Sequence, residues 1–386
     1  MEAVRVAEGG RVEVVEGAPV PVLGPDEVLV RVRAVGICGT DLEICHGTMG
    51  YYTQGRARYP IVPGHEWAGQ VVALGTTSTT GGGHVDHHIK VGDHVVGETC
   101  LPCWRCDDCV GNNYHRCAQR RETGIMNKDG AFAQYLAFPA RSLHVVDRRV
   151  PFETACVIEP LTVAVRAVKM GVRPGDTVVV IGDGSIGLLV LLAARAYGAH
   201  AVLVAGTTPN RLAKARELGA DATFDFSSTS TSASASETVS ASASASERSP
   251  ADSFRRAVMA LGGRGRLADV VIEAAGQPAA FESALAAVKD GGRVTVLGVF
   301  GGQRASVDLD QVVLRDLSIR GTVGSPGVWP ETVALVESGQ IAADAIITHR
   351  FEGLGRFPDA MAMVQARADN VIKAVLCPFP STDETV

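Results

Sequence analysis

At 386 residues the chain is longer than one hydrophobic core usually supports, which predicts two domains, and 46% hydrophobic residues suffice to fill both. A formal net charge of −6 leaves no electrostatic footprint for nucleic acid, and no basic run suits an anionic membrane. No apolar stretch of roughly 18 or more residues suggests a membrane span, and the opening MEAVRVAEGG lacks the regions of a secretory signal. The expectation is a cytoplasmic protein whose partner is a small molecule.

Up to about Arg149 the chain reads as short β-rich runs, VEVVEG, EVLVRVRAVG, AGQVVALG and DHVVG, broken by Gly, Pro and Asp, which predicts a compact all-β unit. Within it, TTSTTGGGHVDHHIK (76–90) contains His84, His87 and His88. Its Gly and Thr content predicts a flexible hairpin-like insertion rather than a metal site, which needs ligands held in place. From Ala155 the rhythm changes. TVVVIG, AVLVA, ATFDF, DVVIEAAG and RVTVLG are short apolar runs separated by helical patterns, so a parallel sheet covered by helices on both faces is expected. The Ser/Ala/Thr tract Ser227–Ser249 is too polar and uniform to fix a core and is read as a disordered surface loop.

Three motifs carry chemistry. In CWRCDDCVGNNYHRC, Cys103, Cys106, Cys109 and Cys117 have the spacing of a thiolate set that closes a tetrahedral Zn²⁺ shell, a staple with no open position. Cys100 extends the spacing by one step, but Gly111 and Cys117 fit the register that starts at Cys103. A disulfide cluster is the competing reading, and a reducing compartment disfavours it. A scattered group, Cys38 in GICGTD, His65 and Glu66 in PGHEWAG and Glu159 in IEPL, offers a thiolate, an imidazole and carboxylates. Each alone reads as an ordinary core residue; together they can hold zinc with one position left for water or an alcohol oxygen. Finally, Gly182, Gly184 and Gly187 form GxGxxG between a predicted strand and a predicted helix, the setting in which glycine lets backbone approach a pyrophosphate at a helix N-terminus.

With GAFAQYL, IEPLTVAV, ELGAD and GGRVTVLG, these motifs run nearly the whole chain, and the sequence resembles the zinc-containing medium-chain alcohol dehydrogenases, especially the polyol (sorbitol-like) and threonine dehydrogenase branch. The resemblance implies a GroES-like β-barrel catalytic domain over 1–157, with a structural zinc lobe at 100–117, a Rossmann domain over 158–323, a return to the catalytic domain over 324–386, and an active site in the cleft between them. It implies catalytic zinc at Cys38, His65 and Glu159, with Glu66 binding directly or through water, and so two Zn²⁺ per chain. Asp41 matches the position that fixes the zinc histidine, and Thr40 the hydroxyl that receives the alcohol proton; a turn residue is the plain alternative for Thr40.

Several positions depart from that pattern. Where relatives often carry a relay histidine this chain has Glu43, with His46 nearby. The second Rossmann strand closes on Gly206 where NAD-preferring relatives have an aspartate, and Thr207, Thr208 and Arg211 follow. Losing that carboxylate removes repulsion toward a 2′-phosphate, so within NAD(P) the sequence leans to NADP(H). Lys373 matches a basic position that reaches the pyrophosphate, a solvated surface lysine being its competing reading. The implied activity is hydride transfer between a secondary alcohol and NAD(P), the substrate a polyol, sugar or cyclitol, with loops 51–59 and 325–329 shaping the pocket. A threonine dehydrogenase and a zinc-free quinone or enoyl reductase are the alternatives, alongside a cofactor-binding protein without turnover. By family analogy a homodimer or homotetramer is expected.

Overall fold

The structure, a computed structural model, describes residues 1–75, 89–228, 250–261 and 265–379. His84, His87 and His88, and the Ser/Ala/Thr tract beyond Ser228, lie outside the described residues. The chain divides into two compact units, Met1–Thr162 with Gly324–Val386, and Val163–Val323.

The first unit begins with β1 (Ala3–Val6) and β2 (Val12–Val15), a two-stranded ribbon. β3 (Glu27–Gly36), β4 (Glu66–Leu74), β5 (His94–Gly97), β6 (Cys100–Leu101), β7 (Arg121–Thr123), β8 (Asn127–Lys128), β9 (Tyr135–Pro139) and β10 (Leu143–Val146) follow. β3 shows why the sequence chooses strand here: Val28, Val30 and Val32 are buried while the residues between them are only partly so, the period-two alternation of a sheet with one buried face. Its pairing with β4 runs antiparallel from Val28 against Leu74 to Gly36 against Glu66. That register fixes the site, because Cys38 follows the end of β3 and His65 precedes the start of β4 at the same end of the sheet.

The all-β expectation for this stretch needs amendment. Short helices interrupt it at Gly39–Cys45, Gly50–Thr53 and Asp107–Val110. The first has a local cause: the Asp41 carboxylate takes the Cys38 N–H at 2.9 Å, satisfying a donor the turn would otherwise leave orphaned.

In the second unit β11 (Thr177–Ile181), β12 (Ala201–Gly206), β13 (Ala222–Asp225), β14 (Ala268–Glu273), β15 (Val288–Val296) and β16 (Ser318–Gly321) form a parallel sheet in the order β13-β12-β11-β14-β15-β16. This is the doubly wound Rossmann order, whose direction of progression reverses between β11 and β14. Every residue of β11 and β12 is buried, as strands covered on both faces must be, and Phe254, Val258, Phe281 and Ala284 from the helices complete their core.

The chain then returns to the first unit with β17 (Ile347–Glu352) and β18 (Lys373–Cys377). β18 lies antiparallel to β3, Val375 against Gly36, and parallel to β17, so among the described residues the sheet runs β10-β5-β4-β3-β18-β17 with β9 also on β3. Its core centres on Trp67, 1% exposed, with the Phe138 ring edge-on at 5.0 Å. Gly97 leaves space for both rings: a Cβ there would overlap Trp67 and lie 2.8 Å from Phe138. Truncating Trp67 to Ala removes the largest of these side chains, and urea denaturation should show a loss of about 3–5 kcal/mol in unfolding free energy; a loss below about 1 kcal/mol would mean that this core is not packed as described.

Candidate active site and metal centres

Three segments meet at the end of β3. Cys38 precedes the helix Gly39–Cys45, His65 precedes β4 and Glu66 opens it; their ligand atoms all lie within 4.8 Å of one another. Asp41, 0% exposed, ties the first two segments. One of its oxygens accepts the Cys38 N–H, and the other accepts the Gly64 N–H at 3.2 Å and stands 3.6 Å from His65 Nδ1. That Nδ1 is buried with no hydrogen-bond partner, and a shift of a few tenths of an ångström would bring it onto the carboxylate, as in metal-bound histidines oriented by an acid. Burial works against a charged His65, but Asp41 and Cys38 together outweigh it and hold the imidazole pKa well above its usual value. A thiol, an imidazole and a carboxylate converging this closely suit zinc, and three donors leave one tetrahedral position open.

The third segment is β18, which delivers Lys373. Its ammonium, buried at 2% exposure, bonds both Glu66 oxygens at 2.8 and 2.6 Å and donates to the Ile37 carbonyl at 3.0 Å. Lys373 is therefore not a solvated surface residue. Burial would lower its pKa, and Glu66 reverses the sign, leaving it raised. Gly36 makes room for this pair, since a Cβ there would overlap the Glu66 carboxylate. Glu159, in the first turn of the helix Ile158–Gly171, is not among the converging ligand atoms; its Oε1 accepts from Thr99 Oγ1 at 2.6 Å. Burial raises its pKa against the opposing pull of nearby His65.

Thr40 is half-buried on the first turn of the helix Gly39–Cys45. Glu43 is partly buried, with its pKa raised by desolvation, and His46 is exposed at the helix end. In the segment 51–59, which begins within the helix Gly50–Thr53, the hydroxyls of Tyr52 and Tyr59 donate to the Ile125 and Ile44 carbonyls. In the 325–329 loop Gly327 N–H donates to the Tyr114 hydroxyl, and Trp329 stacks on His144.

The second cluster joins Cys103, Cys106, Cys109 and Cys117. All nine cysteines are free, and Cys109 Sγ lies 3.8 Å from that of Cys103 and 3.4 Å from that of Cys106. A tetrahedral Zn²⁺ with Zn–S bonds of about 2.3 Å sets its sulfurs about 3.8 Å apart, so the quartet has the dimensions of such a shell. Backbone N–H groups of Arg105 and Cys106 pull the Cys103 thiol down to about 6. Cys100 stands apart, with its Sγ 3.6 Å from the Tyr114 carbonyl oxygen.

In the second unit Gly182 follows β11 with φ +127°, reserved for glycine, and a Cβ on it would press within 2.8 Å of Ala274. A Cβ on Gly187 would overlap the Gly182 carbonyl, whereas the space beside Gly184, at the N-terminus of the helix Ser185–Ala196, is open. Such a cradle accommodates a dinucleotide pyrophosphate. Gly206 ends β12, and Arg211 is half-buried on the helix Pro209–Glu217. The backbone N–H groups of Thr207 and Thr208 both donate to Asp183 Oδ2, at 3.0 and 2.7 Å. Asp183 is a residue that sequence reasoning passed over; its signal was an acid inside the glycine loop paired with a glycine at the strand end.

Comparison with known proteins meets the same architecture. The "Alcohol dehydrogenase GroES-like domain" family matches residues 24–148, and the "Zinc-binding dehydrogenase" family matches residues 185–338. L-threonine 3-dehydrogenase of Symbiobacterium thermophilum is 33% identical over 354 residues, 91% of each chain. Erythritol/L-threitol dehydrogenase of Mycolicibacterium smegmatis is 32% identical over 366 residues, 92% of each. The chain belongs to the zinc-containing medium-chain dehydrogenases, in their polyol and threonine dehydrogenase branch. An NADP-bound crystal structure assigned as a zinc-binding dehydrogenase from Sinorhizobium meliloti superposes on this dehydrogenase with a TM-score of 0.83 at 28% identity, covering 98% of this chain and 99% of that one. The dehydrogenase is thus an NAD(P)-dependent oxidoreductase acting on CH–OH groups. Among the described residues no helix is long and apolar enough to cross a membrane.

The buried Glu66–Lys373 pair generates a direct test. In metal-free protein, Lys373→Met should cost about 3–5 kcal/mol in urea denaturation because Glu66 is left charged and unpaired, and Glu66→Gln in the same chain should restore much of the loss. Equal losses in single and double variants would show that the two residues do not share this energy.

Proposed function

We propose that Cys38, His65 and Glu66 hold a catalytic zinc, that Cys103, Cys106, Cys109 and Cys117 hold a structural one, and that the dehydrogenase oxidises a secondary alcohol of a polyol, sugar or cyclitol. The convergence of a thiol, an imidazole and a carboxylate within 4.8 Å carries the reading. When bound, zinc supplies Lewis-acid polarisation of the alcohol oxygen, and nicotinamide supplies the hydride acceptor. The chain's own residues do the rest. Asp41 orients the His65 ring, and Lys373 offsets the charge of Glu66 so that a thiolate and a carboxylate can share one pocket. Thr40 Oγ takes the hydroxyl proton and passes it toward solvent, with Glu43 as the carboxylate on the same helix. Glu159, held by Thr99, would be a further carboxylate for that zinc, directly or through water. Gly182, Gly184 and Gly187 bind the pyrophosphate.

The erythritol/L-threitol relative supports a polyol, and the threonine dehydrogenase relative supports an amino alcohol as the second reading. A panel of polyols, sugars, cyclitols and threonine, each with NAD⁺ and with NADP⁺, separates them. A homo-oligomer in the cytoplasm completes the proposal; its support is the edge strand β16, exposed along its length, and exposed Leu309, Val313 and Leu314 in the same unit.

Cys38→Ser or His65→Ala is expected to abolish turnover, with the far-UV circular dichroism unchanged and bound zinc falling from two per chain to one. Full activity in either variant removes catalytic zinc from the account, and one zinc or none in the unmodified protein favours the quinone or enoyl reductase reading.

A further inference from the structure

In dinucleotide-binding units an acid roughly 20 residues past the glycine loop hydrogen-bonds the ribose 2′-hydroxyl. Gly206 occupies that place in the chain, but the corresponding space holds Asp183. A Cβ built on Gly206 would lie only 2.5 Å from both Cβ and Cγ of Asp183 and would overlap its carboxylate. Strand-end side chain and Asp183 therefore exclude each other, and Gly206 is what lets the acid from the glycine loop lean across the end of β12. Asp183 is 8% exposed, and it is anchored rather than mobile, because Oδ2 receives the N–H groups of both Thr207 and Thr208. Oδ1 receives no hydrogen bond from any described residue.

Resting on the cofactor reading above, we propose that Asp183 replaces the strand-end acid: its free oxygen accepts the ribose 2′-hydroxyl, and its charge excludes a 2′-phosphate, so the dehydrogenase selects NAD(H) over NADP(H). Two physical effects act together. A 2′-phosphate carries about −1.5 to −2 charge at neutral pH and would face a carboxylate in a largely buried setting, where like charges are weakly screened. The donors such a phosphate would use, successive N–H groups at the end of a strand, are already committed to Asp183. Arg211 and the Thr207 and Thr208 hydroxyls favour a phosphate, but one half-buried cation does not compensate both effects. The lean toward NADP(H) drawn from Gly206, Thr207, Thr208 and Arg211 did not weigh Asp183, and on this proposal the acid opposes it.

Titrating the purified protein with NADH and with NADPH, followed by isothermal calorimetry, tests this without turnover. The unmodified protein is expected to bind NADH at least tenfold more tightly. Asp183→Asn keeps the size and an acceptor oxygen for the Thr207 and Thr208 amides while removing the charge, and should narrow the NADH-to-NADPH ratio at least tenfold; Asp183→Ser should shift it the same way if the Asn variant folds poorly. Binding of NADPH as tight as that of NADH in the unmodified protein, or variants that weaken both dinucleotides by the same factor, would overturn the inference and leave Asp183 a loop staple. If neither dinucleotide binds the unmodified protein, the cofactor reading falls and takes the inference with it.

Discussion

The site depends on one buried carboxylate. Asp41 accepts hydrogen bonds from Cys38 N–H and Gly64 N–H, and so clamps together two segments that are not neighbours in the chain. Each end of the clamp adjoins one of the converging donors, Cys38 or His65. Without it, the Cys38 thiol and the His65 ring would sit on loops free to diverge beyond the ends of β3 and β4. The sheet register supplies the coarse alignment, Gly36 opposite Glu66, and the carboxylate supplies the fine one. Pre-organisation of this kind is what lets a site bind a metal without first ordering its own ligands.

Charge balance is the second constraint. Asp41, Glu66 and Glu159 are all buried within one unit, with a thiol and an imidazole beside them. Burying several acids together is unfavourable unless cations accompany them. Lys373 supplies one positive charge, through both oxygens of Glu66, and a divalent ion at Cys38, His65 and Glu66 would supply the other. The same balance explains why Lys373 is buried at all: an ammonium in that position without Glu66 would lose its proton or leave the core.

Much of this was legible in the sequence, for identifiable reasons. Strands such as EVLVRVRAVG announce themselves by alternation, and the buried strands of the second unit by unbroken β-branched runs between glycines. The cysteine quartet is local, so its spacing suffices to name Cys103, Cys106, Cys109 and Cys117. What sequence alone does not carry is contact between distant segments. Nothing in VIKAVL says that Lys373 faces Glu66, because that depends on β18 lying against β3. The grouping of Glu66 rather than Glu159 with Cys38 and His65 follows from the β3–β4 register and from Thr99 taking the Glu159 oxygen. The helix Gly39–Cys45 was hidden in a β-rich stretch because its cause is a cap, not a hydrophobic period. Asp183 escaped notice because its partner space, beside Gly206, belongs to the next strand of the sheet.

The placement of β18 also bears on the order of assembly during synthesis. The unit Val163–Val323 is one continuous stretch, complete as soon as its last strand leaves the ribosome. The unit that surrounds it in sequence is not: residues up to Thr162 emerge first, yet the strand that lies along β3 and carries the ammonium paired with Glu66 arrives with Lys373–Cys377. Until then β3 has an open flank and Glu66 an unanswered charge. A nascent chain therefore holds its earlier-made half unfinished while the later-made half matures, and a truncation just short of β18 spoils the pocket of Cys38, His65 and Glu66 more than three hundred residues upstream.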